Sequence, residues 1–141
     1  HQTGVKNVQA VRALYEKAGV QADIRGFIDD MAQAYRDSDI VICRSGAMSV
    51  SELCAAGAAS ILVPFVVKTT NHQLGNARYM AEHGASIMLE QAKLTPEHLF
   101  GILHSLKRER ILNMAQSARA LARRNAAAQV ADMIEATAGL R

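Results

Sequence analysis

Asp39-Ile40-Val41-Ile42-Cys43-Arg44-Ser45-Gly46-Ala47-Met48-Ser49-Val50-Ser51-Glu52 passes from a continuous, β-branched apolar run, through small residues with one glycine, into a helix-forming segment. A strand covered on both faces has no polar alternation, so Asp39 to Cys43 predicts a buried strand. Ser49 to Ala56 predicts a helix, and Gly57 ends it. The same order recurs downstream. Ser60-Ile61-Leu62-Val63-Pro64 is a second buried run, followed by a polar loop from Lys68 to His72 and a helix through Leu74, Ala77 and Met80 to His83-Gly84. Ser86 to Leu89 is a third buried run. Thr95 and Pro96 then supply an N-cap and a first helical residue, and the rest reads as helical to about Ala138 with a break near Asn125.

Upstream, Val5, Val8, Val11, Leu14 and Tyr15 recur at helical spacing as far as Gly19. An extended run, Val20 to Arg25, and a brief helix through Met31, Ala34 and Tyr35 follow. Buried strands alternating with helix-length crossovers define α/β: a Rossmann-like parallel sheet with helices on both faces.

Composition narrows the function classes. The chain has 141 residues, 50% hydrophobic and 21% charged, which is neither a disordered nor a membrane-spanning profile. The start, His1-Gln2-Thr3-Gly4, carries no signal-peptide pattern. Cys43 and Cys54 sit in apolar runs without metal-ligand partners at the usual spacings, which suits a reducing compartment and predicts no metal site. With three Tyr, three Phe and no Trp, the chain lacks a stacking platform for single-stranded nucleic acid. Its net charge of +3 is concentrated in 107–124, where Lys107, Arg108, Arg110, Arg119, Arg123 and Arg124 face Glu109. Ile111, Met114, Ala118 and Leu121 keep helical spacing there, so the basic residues are expected on the solvated face of an amphipathic helix.

Ligands of open parallel sheets bind beyond the carboxyl ends of the strands. Three loops qualify: Gly26 to Asp30, Arg44 to Ser49, and Phe65 to Asn76. In the second, small residues admit close backbone approach, and the helix that follows offers free N–H groups to an anion. Glu52 lies one turn further on, placed to accept the hydroxyls of a ribose. Ser49-Val50-Ser51-Glu52 equally spells a capping box in which Glu52 serves only the backbone of residue 49, and spacing leaves both readings open. The third loop gathers Lys68, Thr69, Thr70, Asn71, His72, Gln73 and Asn76, polar groups suited to a sugar. Asp29 and Asp30 lack a third ligand, which favours an N-cap before Met31 over a metal pair. His83, His98 and His104 have no triad partners and read as structural.

Together, Phe27-Ile28-Asp29-Asp30-Met31-Ala32, the Cys43 to Glu52 string, Val63-Pro64-Phe65 and His72-Gln73-x-x-Asn76-Ala77 resemble, in that order, the C-terminal donor domain of the MurG family. Those bacterial enzymes add N-acetylglucosamine to the lipid-linked muramoyl-peptide intermediate of peptidoglycan synthesis. The resemblance spans essentially the whole chain. It implies a partial GT-B donor domain over 1–141 that binds UDP-GlcNAc for inverting transfer, with 107–141 as a C-terminal helical segment. By the same resemblance, Ile28 would contact uracil through its backbone, and Ala47, Met48 and Ser49 would bind the diphosphate. Glu52 would hold the ribose hydroxyls, and His72 and Gln73 those of the sugar, with Asn76 in the same pattern. No cofactor, metal or nucleic acid enters. The family also has an N-terminal acceptor domain and, at the start of the donor domain, a strand–loop–helix that this sequence lacks. The expectation is therefore a fragment without turnover of its own, its acceptor met through the missing domain. The expected setting is peripheral, at the cytoplasmic face of the bacterial inner membrane, with the sheet completed by a partner chain or oligomer. Another two-domain nucleotide-sugar transferase, a UDP-GlcNAc epimerase and a non-catalytic nucleotide-binding module are the alternatives.

Overall fold

The computed structural model of the protein describes residues 1–66 and 71–139. The chain divides into two compact units, His1–Ala34 and Tyr35–Arg141.

In the first unit a 3-10 turn, Val5–Asn7, leads into α1, Val8–Lys17. Gly19, at φ 66°, closes it, and the Val20 N–H returns to the Tyr15 carbonyl at 3.0 Å. The extended run Val20 to Arg25 is reduced to one parallel bridge, Gln2 to Arg25. Five of its six residues are exposed with Ile24 half-buried, and a strand without flanking partners has nothing to hold a ladder. Gly26 lies where a Cβ would sit 3.1 Å from the Val5 Cα, so the backbone passes there only without a side chain. At the end of the unit α2, Met31–Arg36, begins, and Asp30 accepts from the Gln33 N–H at 2.8 Å. Asp30 is a helix cap, as its position predicts.

The second unit holds a parallel sheet of three short strands in the order β1 (Val41–Cys43), β2 (Ser60–Leu62), β3 (Ser86–Met88). Val41 registers with Ser60 and Ser60 with Ser86, so Ile42, Ile61 and Ile87 share one face. Between the strands run α3 (Ala47–Ala56) and α4 (His72–Glu82); after them come α5 (Pro96–Ser105), α6 (Arg108–Ala120) and α7 (Ala126–Thr137). Leu99 and Ile102 of α5 cover Ile61, Val63 and Leu89 on the isoleucine face. Leu62 alternates to the other face and is fully buried. α3 and α4 lie side by side, with Cys54 Sγ 3.5 Å from Met80 Sδ. The parallel α/β architecture with helices on both faces is therefore realised.

The strand β1 departs from the expectation of full burial: Ile42 is 44% exposed. Strand β2 flanks β1 on one side only, and the apolar cluster under α5 is centred on β2. α3 ends in a Schellman turn at Gly57, φ 70°, with the Ala58 N–H on the Leu53 carbonyl at 3.0 Å. Arg119 and Arg124 of the basic segment donate to the Ala55 carbonyl at that end, and Arg108 pairs with Asp39 at 3.1 Å. Met114 and Ala118 are buried, so α6 is amphipathic as its spacing predicts. A break at Leu106-Lys107, ahead of the one near Asn125, was not visible in the sequence.

Candidate functional site

Arg44 and Ser45 tie the segment after β1 to its neighbours. Ser45 is fully buried; its Oγ donates to the Gln73 carbonyl at 2.8 Å, and its carbonyl accepts from Asn76 Nδ2 at 3.0 Å. Both bonds fasten the Arg44–Gly46 loop to the first turns of α4. Gln73 Oε1 accepts from the Phe65 N–H at 2.9 Å, which brings in the segment after β2. Arg44 donates to the Val63 carbonyl at 3.2 Å and stands over the Phe65 ring at 5.6 Å. The carboxyl ends of β1 and β2 thus carry one knitted platform.

α3 rises from this platform at Gly46, and no side chain caps its first turn. The first intrahelical bond is Val50 N–H to the Gly46 carbonyl, 3.0 Å, which leaves the N–H groups of Ala47, Met48 and Ser49 outside the helix's own ladder. Met48 is 75% exposed and Ser49 half-buried. Such a turn attracts anions through its amides and its dipole. α4 begins at Asn71 in the same way, without a side-chain cap and with an exposed His72 in its first turn.

Glu52 stands one turn along α3, exposed, and its Oε2 accepts from the Tyr35 hydroxyl at 3.0 Å. The capping-box alternative is not realised. It required a helix starting at Ser49, but the helix starts at Ala47, so Ser49 lies in the first turn and Glu52 in the second. Tyr35 is itself 8% exposed. Burial first, and then the bond to Glu52, push its phenol above the usual tyrosine range. Cys43, at the end of β1, is raised to about 11 by burial and then by the Glu52 charge.

Among the residues expected to contact ligand, the second unit brings Ala47, Met48, Ser49, Glu52, His72, Gln73 and Asn76 onto the two loop–helix junctions. Asn76 spends its NH2 group on the loop rather than presenting it outward. Ile28 belongs to the first unit, where its N–H donates to Gln2 Oε1 at 3.2 Å and only its carbonyl remains for a ligand. Lys68, Thr69 and Thr70 lie outside the described residues. No group of three or more His, Cys, Asp or Glu side chains suited to a metal occurs among the described residues. His83 and His98 bond to backbone carbonyls of Tyr79 and Lys93, and His104 stacks on Phe100. Sequence reasoning missed Ser45 and Tyr35: the first is a small residue in a loop, and the second reads as one more apolar position of a brief helix.

Fold and site define a parallel α/β protein whose polar side chains gather where two strands give way to two helix N-termini. Residues 1–135 match the model of the glycosyltransferase family 28 C-terminal domain, and the chain belongs to that family. Two curated relatives, from Aromatoleum aromaticum and Methylibium petroleiphilum, are each named UDP-N-acetylglucosamine–N-acetylmuramyl-(pentapeptide) pyrophosphoryl-undecaprenol N-acetylglucosamine transferase. The first is 49% identical over 141 residues, covering 100% of this chain and 40% of the relative. The second is 53% identical over 137 residues, covering 96% and 37%. The chain thus spans about two-fifths of the length of these relatives. The crystal structure of Acinetobacter baumannii MurG superposes with a TM-score of 0.89 at 38% identity, over 96% of this chain and 42% of that one. A glycotransferase of kitacinnamycin, 20% identical with a TM-score of 0.58, shares the fold over 80% of this chain and 29% of its own.

Proposed function

We propose that this chain binds UDP-N-acetylglucosamine and serves as the donor side of its transfer to the lipid-linked muramoyl-peptide of peptidoglycan synthesis. One observation carries the reading: a helix N-terminus with three amides outside its ladder and, one turn on, a carboxylate with one oxygen anchored and the other without a hydrogen bond among the described residues. The amides of Ala47, Met48 and Ser49, with the Ser49 hydroxyl, take the diphosphate. Glu52 takes the ribose hydroxyls through its other oxygen. His72 and the NH2 group of Gln73 address the sugar. Asn76 holds the platform.

As the sugar leaves, negative charge grows on the UDP oxygen. Amides already fixed by the Ser45 and Gln73 bonds stabilise it without reorganising, which is the principal means by which such a site lowers a barrier. No step calls for a metal on the diphosphate. The acceptor, the base that deprotonates it and the peripheral contact with the cytoplasmic face of the inner membrane belong, in this reading, to the longer enzyme. No helix among the described residues is long and apolar enough to cross a membrane.

Calorimetry on the 141-residue chain tests the donor assignment. UDP-GlcNAc should bind in preference to UDP-GalNAc and GDP-mannose. Glu52→Ala should weaken UDP by roughly 1.5–3 kcal/mol, the scale of a hydrogen bond to a charged group. Equal affinity for all three nucleotides, or an unaltered affinity in the variant, overturns it. The chain alone should bind UDP-GlcNAc without turning it over; product from UDP-GlcNAc and lipid acceptor would sink that part.

A further inference from the structure

We infer that Tyr35 is a positioning residue for the nucleotide site: its hydroxyl holds the Glu52 carboxylate in the orientation that receives the ribose. The inference rests on the donor-site reading of Glu52 and adds to it a group that touches no ligand.

Glu52 lies on the exposed side of α3, where a carboxylate with three rotatable bonds samples several rotamers in water. Only one contact restrains it among the described residues, the 3.0 Å bond from Tyr35 to Oε2. Tyr35 is suited to that task. It is 8% exposed and sits on α2, a different element from the residue it restrains, so its ring is fixed by packing while its hydroxyl meets an exposed side chain. A phenol bonded to Oε2 leaves Oε1 with both lone pairs, the number that the two hydroxyls of a ribose need. The bond also fixes direction. A phenol beside a carboxylate is the donor, so Glu52 remains an acceptor toward anything that approaches.

The distinction from a purely structural tyrosine lies in which part of the ligand the loss would affect. A structural defect would weaken every contact in the site together. A positioning defect would weaken only the ribose contact. The probes are UDP and 2′,3′-dideoxy-UDP, measured by calorimetry on the 141-residue chain and on Tyr35→Phe, Glu52→Ala and the double variant. Tyr35→Phe keeps the packed ring, and melting curves check that it folds. It should reduce the preference for UDP over the dideoxy nucleotide by about fivefold to tenfold, the worth of ordering one charged hydrogen bond. Affinity for the dideoxy nucleotide should hold, and the change should vanish when Glu52 is already alanine, since the two act as a unit.

If Tyr35→Phe weakens both nucleotides equally, Tyr35 only supports the fold and the inference is wrong. If Glu52→Ala abolishes the preference while Tyr35→Phe leaves it intact, the inference fails and the donor-site reading stands. A wild-type chain that shows no preference for the ribose hydroxyls overturns the role of Glu52 and this inference with it.

Discussion

At the residue scale, Gly57 and Cys43 show how narrowly single positions are fixed. Gly57 holds φ 70°, and a Cβ there would lie 3.3 Å from the Cβ of Arg119. Gly57→Ala should therefore cost about 1–2 kcal/mol, readable as a lower melting temperature, because a left-handed backbone and a packed neighbour both oppose the methyl group. Cys43 is held as a thiol up to about 11. Alkylation by iodoacetamide should be slow near neutral pH and should climb with a midpoint close to that value, since only the thiolate attacks. Rapid labelling at pH 8 would contradict the burial described. Of the residues proposed for the nucleotide site, the amide-bearing loop and Glu52 were legible as candidates in the sequence, because glycine, small residues and a carboxylate at one-turn spacing announce themselves. Ser45 was not, since nothing in a lone loop serine says that its hydroxyl will find the Gln73 carbonyl on another element.

At the element scale, caps explain where the helices start and stop. Thr95 accepts from the His98 N–H at 3.2 Å with Pro96 in the first turn, both visible beforehand. Thr95→Ala should lower stability by about 1 kcal/mol in a denaturant titration. Arg119 acts at the opposite kind of end, on the Ala55 carbonyl that α3 leaves without a partner from its own ladder. Arg119→Gln should destabilise by roughly 1 kcal/mol, whereas Arg110→Gln, on the exposed face of α6, should stay within about 0.5 kcal/mol. Equal effects from both would mean that the basic residues act only through net charge. The start of α3 was misjudged by two residues, because Ser49 is a good capping residue and Gly46 supplies no side chain. The break at Leu106 was hidden for a related reason. Neither Gly nor Pro marks it, and Leu106 takes an extended conformation, ψ 112°, as a half-buried residue.

At the scale of the molecule, the parallel α/β architecture followed from the sequence because three buried apolar runs are separated by helix-length crossovers. What the pattern could not reveal was how unevenly the sheet is covered, with β2 wholly buried and Ile42 of β1 open. Response to alkali is also a property of the whole fold. Tyr35 and Cys43 are both raised, so the folded chain binds their protons more tightly than the unfolded chain does. Their contribution is complete below the ordinary values, 9.0 for the thiol and 10.0 for the phenol, and is lost as pH rises through the folded ones. Melting temperature should be level across neutral pH and fall above about pH 9, and less steeply in Tyr35→Phe. A chain equally stable at pH 8 and pH 10.5 would refute this. Finally, because the Phe65 amide claims the oxygen of Gln73, that carboxamide cannot turn over to swap its ends. Toward any ligand its NH2 end can only donate, and glutamate at the same position would offer only acceptors, so that a hydroxyl meeting that end would have to reverse its role.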